Sequence, residues 1–214
     1  MVYASQNKEF IEKGETAIQP ISIETVVAAL APYVREIVTV TPHFQRTEGV
    51  SREYSLPIHI IDGFNVYDKA FKGMKKCKVI APDEGMASVA EELSLIYNCD
   101  FDYAIKHRDK KETDKTETEE KIFDVENRIV IVPDDMIRSG GTMMHLIEQL
   151  RQQKAKQVYV AVVHGAFAQD AYENLKKVCD RILFTDTLKN DNATHSIVDL
   201  LADYIERNKL VYKS

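Results

Sequence analysis

Residues Ile129 to Thr142 read IVIVPDDMIRSGGT: an apolar, β-branched run, two adjacent carboxylates at Asp134 and Asp135, and a Ser-Gly-Gly-Thr turn. Met143, Leu146, Ile147 and Leu150 follow at i, i+3, i+4 and i+7, the spacing of one buried helix face. A strand that turns straight into a helix brings the N–H groups of the turn and of the first helical residues to one point, where an anion is held. Adjacent carboxylates suit a different partner, either a vicinal diol, whose hydroxyls they accept from, or a hydrated divalent cation. A sugar phosphate meets both conditions. Acids that merely end a strand are the plain alternative, and the coincidence of acid pair, glycine turn and helix onset weighs against it.

The same alternation extends outward in both directions. Ser22 precedes Ile23, Val26, Val27 and Leu30, a helical stripe that stops near Pro32, and Ile37 to Val40 is a short strand ended by Pro42 and His43. Ile58 to Ile61 forms a second strand, and a short helix is expected around Val66 to Phe71. Lys78 to Ala81 is a strand, Pro82 to Gly85 a turn, Met86, Val89, Ala90 and Leu93 a helical stripe, and Tyr103 to Ile105 a further strand. Beyond the strand at Arg128 to Val132 and its helix come strands at Val158 to Val163 and Ile182 to Phe184, with a helix around Ala171 to Val178 between them. The last helix carries Ser196 and Asp199 in capping-box spacing, with Ile197, Leu200, Leu201, Tyr204 and Ile205 as its stripe. Strands alternating with helices imply an α/β fold, a parallel sheet flanked by helices.

In such sheets ligands bind beyond the carboxyl ends of the strands. The loops there are Pro82 to Gly85, Lys106 to Arg108, Pro133 to Thr142, His164 to Phe167 and Thr185 to Thr187, and they gather acids, hydroxyls and cations at one edge. Asp109 to Glu120, DKKETDKTETEE, has no apolar residue to bury and is expected to be a solvated excursion. It follows directly on Lys106 and Arg108, so those two cations sit on a segment able to close over bound phosphates.

Composition sets the outer bounds. The 214 residues, 44% of them hydrophobic, suffice for one large or two small domains, and a formal charge of −6 excludes a general nucleic-acid coat. Cys77, Cys99 and Cys179 are odd in number and widely spaced, which fits neither a disulfide framework nor a zinc knuckle; free thiols are expected. No apolar run reaches the roughly 18 residues of a membrane span, and MVYASQNKEF has no signal-peptide character, so the expected location is the cytoplasm.

Taken together in order, these segments resemble ribose-phosphate pyrophosphokinase, above all its archaeal forms, and more distantly the type I phosphoribosyltransferases. Tyr3-Ala4-Ser5-Gln6-Asn7 is similar to the family's YARQD segment, and Gly14-Glu15 with Ile21-Ser22 to its GE-x-IS stretch. Thr39 to His43, TVTPH, is similar to TVDxH, and Ala81 to Gly85, APDEG, to SPDxG. Lys106-His107-Arg108 resembles the catalytic Lys-x-Arg, Asp134 to Thr142 the phosphoribosyl pyrophosphate loop, and His164-Gly165 and Thr185-Asp186-Thr187 the HG and TDT landmarks.

The resemblance implies transfer of the β,γ-diphosphoryl group of MgATP to O1 of ribose 5-phosphate. It assigns Lys106 and Arg108 to catalysis. Ribose 5-phosphate would be bound by Asp134, Asp135, Arg138, Ser139, Gly140, Gly141 and Thr142. Gln6 and His43 would bind ATP, and His43 and Asp83 would hold Mg2+. His43 as a plain strand-end histidine and Asp83 as a helix cap are the simpler readings of those two residues. His164 reads as structural, and His145 and His195 carry no functional assignment.

Against the family pattern, Ser5 stands at an ATP-contacting arginine, Asn7 and Thr41 stand at acids, and Arg138 stands where Asp or Ser is usual. The family has two similar α/β domains. Residues 1–68 here match only the back half of the first, a partial domain preceding the type I phosphoribosyltransferase-like domain at 69–214. A sheet without its opening strands has an open edge that another chain must cover, so a homo-oligomer is expected. Two further activities share much of the pattern: a phosphoribosyltransferase that uses phosphoribosyl diphosphate as donor, and a noncatalytic regulatory paralogue of the synthetase.

Overall fold

The computed structural model describes residues 22–45, 48–108, 116–118 and 121–210. The chain divides into two units, Met1–Gly63 with Val198–Ser214, and Phe64–Ile197.

The larger unit is built on a five-stranded, wholly parallel sheet. Its strands are β4 (Cys77–Ala81), β5 (Asp100–Tyr103), β8 (Ile129–Ile137), β9 (Gln157–Gly165) and β10 (Arg181–Thr185), in the spatial order β10-β9-β8-β4-β5. All five residues of β4 are buried, and β9 is buried from Val158 to Val163, the near-continuous apolar pattern of strands covered on both faces. The sheet is flanked by α3 (Ala87–Tyr97), α4 (Gly141–Gln152) and α5 (Ala171–Val178). The four positions of the α4 stripe, Met143, Leu146, Ile147 and Leu150, are all buried in one cluster with Val130, Val132, Val158 and Val160 of the sheet. Tyr67, in the helical turn Gly63–Tyr67 before α2 (Asp68–Phe71), is buried and donates from its hydroxyl to Val162 O at 2.7 Å.

Strand order fixes where a ligand can enter. From β4 the chain steps outward to β5, then returns past β4 to lay down β8, β9 and β10 on the other side. The direction of winding therefore reverses between β4 and β8, and the crevice at their carboxyl ends is the topological switch point. The turn after β4 carries Asp83, and the end of β8 carries Asp134 and Asp135.

Three sequence expectations are corrected here. The strand expected at Arg128 to Val132 runs on to Ile137, because β9 continues to pair with it as far as Gly165; Asp134 and Asp135 thus lie within a strand rather than a loop. Pairing of β8 with β4 stops at Ile131, so Pro133 falls where β8 is an edge on one side, a position that tolerates proline. The strand expected at Tyr103 to Ile105 lies at Asp100–Tyr103, where Lys78 to Ala81 supply its partners. Third, Cys77 and Cys99 are not free: they form a disulfide with Cα atoms 5.3 Å apart. Lys78 pairs with Asp100, so the residues just before them face each other, a proximity that their spacing in sequence does not reveal. Cys179 is free, and burial first, then the Asp180 charge, push its thiol up to about 11.

Lys106–Arg108 also forms a strand, β6, paired antiparallel with β7 (Thr116–Thr118) in a two-stranded hairpin. Three residues of the charged excursion are therefore strand; residues 109–115 and 119–120 lie outside those described.

In the smaller unit β1 (Ile37–Val40) pairs parallel with β3 (Ile58–Ile61), and β2 (Gly49–Ser51), not anticipated from sequence, pairs antiparallel with β3. Ile23 and Val27 of α1 (Ser22–Leu30) close a core with Leu56, Ile58 and Ile60. Helix α6 (Val198–Arg207) belongs to this unit through Tyr204, whose hydroxyl lies 3.3 Å from His59 Nδ1. His59 Nε2 lies 2.8 Å from Glu36. Among the described residues no helix is long and apolar enough to cross a membrane.

Candidate sugar-phosphate site

Asp135 is buried and Asp134 half-buried at the end of β8. Burial first, then the Asp135 carboxylate and the Asp83 charge, push the Asp134 carboxyl well above the ordinary carboxylate range. Three acids from two strand ends thus act on one another at the switch point. The Asp83 side chain does not cap the helical turn Glu84–Met86 that it precedes, so the simple capping role is not the one it fills. Gly85 belongs beside it: a Cβ there would stand 3.1 Å from Asp83 Oδ1.

From Asp135 the chain passes Ile137, buried, and Arg138 and Ser139, both exposed, into Gly140. Gly140 has φ 75°, the left-handed region that favours glycine, and its carbonyl accepts the Met144 N–H at 2.8 Å, starting α4. Glycine at this cap has no side chain to satisfy the first N–H groups of the helix, and a Cβ on Gly141 would meet open space. The cradle is thus open above and packed beneath. A Cβ on Gly140 would stand 3.2 Å from Leu175 Cδ1 of α5, and the Ala168 N–H donates to Arg138 O at 2.8 Å. Leu175 and Ala168 are supports that no motif in the sequence marks, since their contribution is a methyl group and a backbone N–H.

The chain matches the family model of the phosphoribosyl transferase domain over residues 63–200. It is 30% identical to the ribose-phosphate pyrophosphokinase of Methanopyrus kandleri over 211 residues, which is 96% of this chain and 69% of that one. With the ribose-phosphate pyrophosphokinase of Pyrococcus furiosus it shares 31% identity over 204 residues, 92% of this chain and 68% of that one. The chain belongs to the ribose-phosphate pyrophosphokinase family. Among solved structures, its fold matches the phosphoribosylpyrophosphate synthetase of Mycobacterium smegmatis with a TM-score of 0.69 at 24% identity, covering 92% of this chain and 66% of that one. The family expected from the motifs is thus the family found, it is a family of enzymes, and the α/β phosphoribosyltransferase fold is the expected one.

The remaining pyrophosphokinase landmarks fall into three groups. The HG and TDT residues staple β9 to β10: Thr185 Oγ1 donates to Val163 O at 2.7 Å, and His164 Nδ1 lies 2.9 Å from Thr187 Oγ1. Asp186 accepts the Ile197 N–H at 2.8 Å; although burial opposes it, hydrogen bonds from Ser196 and Ile197 hold its carboxyl below the ordinary range. Gly165 is needed for packing, because a Cβ there would stand 2.5 Å from Phe184. Thr41 and His43 are in the smaller unit. Thr41 is buried with φ 36°, and its hydroxyl accepts the Gly63 N–H at 2.8 Å, so the residue standing at the family's acid has become a structural support. His43 lies exposed in the turn that follows. Lys106 and Arg108 are both on β6, and Gln6 lies outside the described residues. No group of three or more His, Cys, Asp or Glu close enough to hold a metal ion occurs among the described residues.

Proposed function

We propose that the chain transfers the β,γ-diphosphoryl group of MgATP to O1 of ribose 5-phosphate, releasing AMP and 5-phosphoribosyl 1-diphosphate. The bond from O1 to the β-phosphorus forms as the bond from that phosphorus to the AMP oxygen breaks. The observation that carries this reading is the acid pair beside an open helix N-terminus at the switch point, within a chain of this family.

Asp134 and Asp135 accept hydrogen bonds from the ribose 2- and 3-hydroxyls, which fixes O1 at the mouth of the crevice. Ser139, Gly140, Gly141 and Thr142 hold the 5-phosphate with backbone and hydroxyl donors, and Arg138 adds a cation beside it. Lys106 and Arg108 stabilise the charge that spreads over the phosphoryl oxygens as transfer proceeds. Gln6 and His43 would bind ATP. Asp83 and His43 would hold Mg2+, and hard oxygen donors suit that ion, which keeps most of its waters and takes one or two carboxylates. The mutual repulsion of Asp83 and Asp134 fits a cationic neighbour as well. Bound there, the ion would neutralise the triphosphate charge. We also propose a cytoplasmic, homo-oligomeric protein, in keeping with nucleotide and sugar-phosphate substrates.

The test is formation of AMP from Mg2+, ATP and ribose 5-phosphate by the purified protein, with Lys106→Ala expected to abolish it. Pyrophosphate release from phosphoribosyl diphosphate and a nucleobase, without AMP formation, would assign a transferase instead. Silence in both assays would leave a regulatory paralogue.

A further inference from the structure

Among the described residues the hairpin that carries Lys106 and Arg108 has three residue pairs, too few to be stable by themselves, so its placement must come from what it is rooted in. Chain leaves the sheet for the hairpin at Tyr103 and rejoins the core at Phe123, which is fully buried. Between those points lies a cluster of three charged side chains that the transfer site itself does not use. Lys78, the second of five residues in the buried strand β4, is only 8% exposed, and an ammonium so placed is costly without a counter-charge. Its Nζ donates to Phe123 O at 2.5 Å and lies 3.8 Å from Asp102 Oδ2.

The other Asp102 oxygen, Oδ1, accepts from Lys121 Nζ at 2.6 Å and from the Tyr103 N–H at 2.8 Å. Lys121 Nζ also donates to Tyr103 O at 2.9 Å and stands 4.7 Å from the centre of the Tyr103 ring. From the far end of α4, Gln153 completes the cluster: its Oε1 accepts the Phe123 N–H, and its Nε2 donates to Lys121 O, each at 2.7 Å. The outgoing and incoming roots of the hairpin are thereby joined to each other, to β4 and to the segment ending α4. One carboxylate faces two ammonium groups, so Asp102 is the member whose loss leaves like charges opposed.

We propose that Asp102 is a positioning residue of the transfer site: by clamping Lys121 to Tyr103 and neutralising Lys78, it fixes the root of the β6–β7 hairpin and hence where Lys106 and Arg108 are presented. The catalytic half of this statement rests on the proposed transfer function. The structural half does not.

The experiment is hydrogen exchange of the full chain as wild type, Asp102→Asn and Asp102→Glu, with kcat and KM for ribose 5-phosphate measured on the same samples. In Asp102→Asn, exchange at residues 104–108 and 121–125 should quicken about tenfold while β9 is unchanged. The value of kcat should fall about tenfold with KM for ribose 5-phosphate nearly constant, and Asp102→Glu should restore most of both. Unchanged exchange at the hairpin, or equal quickening in β9, would overturn the proposal, as would a loss expressed only in KM. Lys121→Met, which removes the more exposed partner, supplies the same test if Asp102→Asn does not fold. Absence of AMP from the wild type would count against the transfer function, and exchange alone would then decide whether the clamp exists.

Discussion

Two turns at strand ends carry the family's motifs in this chain, and they have been treated differently. After β8 the motif is backed by core: Ile137 is buried, Leu175 stands under Gly140, and a backbone hydrogen bond from Ala168 holds the Arg138 carbonyl. After β1 the motif has turned inward, with Thr41 buried and its hydroxyl bound to the Gly63 N–H where the family has an acid. The first turn leaves a helix N-terminus without a capping side chain, and the second uses a side chain to hold its own backbone. A turn whose chemistry belongs to the main chain stays legible, because packing beneath it preserves the shape; a turn that relies on one carboxylate changes with one substitution.

The sharpest way to break this contrast is at the acid pair. Asp135→Ala should lower kcat/KM for ribose 5-phosphate by about 100-fold, since hydrogen bonds to charged groups are worth about 1.5–3 kcal/mol each. A change under a few fold would remove the diol-binding role. At the other turn, Thr41→Asp should not tighten ATP binding, which the proposed function leaves to His43 and Gln6. It should cost about 1–3 kcal/mol in a urea melt, because the new carboxylate is buried in place of a satisfied hydroxyl. Tighter ATP binding by that variant would show that an acid at position 41 still acts on the nucleotide.

Gly140→Ala tests the packing beneath the first turn. A Cβ at φ 75° and 3.2 Å from Leu175 should cost about 1–2 kcal/mol and raise KM for ribose 5-phosphate several-fold, with kcat less affected. The smallest effect is on pH dependence. Because the folded protein holds the Asp134 proton more tightly than the unfolded chain does, this group favours the fold at low pH, and its contribution is lost as pH rises above the ordinary carboxylate range. Without divalent cation, Asp134→Asn should flatten the decline of the urea midpoint above about pH 4. An unchanged slope would mean that neither burial nor the neighbouring acids raise the Asp134 carboxyl.

Much of this molecule was legible because its signals are local. The stripe Met143, Leu146, Ile147, Leu150 becomes the buried face of α4, and Ile37 to Val40 and Ile58 to Ile61 are strands at the expected residues. Expectation failed where a distant partner decides: β8 extends through Asp134 and Asp135 because β9 runs beside it, and the charged run after Arg108 contributes β7 because β6 pairs with it. Lys78 is a cation inside an apolar strand, but nothing near it in sequence points to Asp102 or Phe123.

The sequence by itself determined the alternation of strands and helices, the order of the motifs and the family to which they belong, all of which follow from side-chain periodicity and from residues adjacent along the chain. Only the tertiary structure decided that the Asp83 charge acts on the Asp134 acid at the point where the sheet reverses its winding, that Cys77 and Cys99 are joined, and that Asp102 accepts from Lys121 and from the Tyr103 N–H at the root of the hairpin. Periodicity tells which face of an element is buried. Strand order and register tell which distant residues share that burial, and charges and thiols respond to neighbours in space.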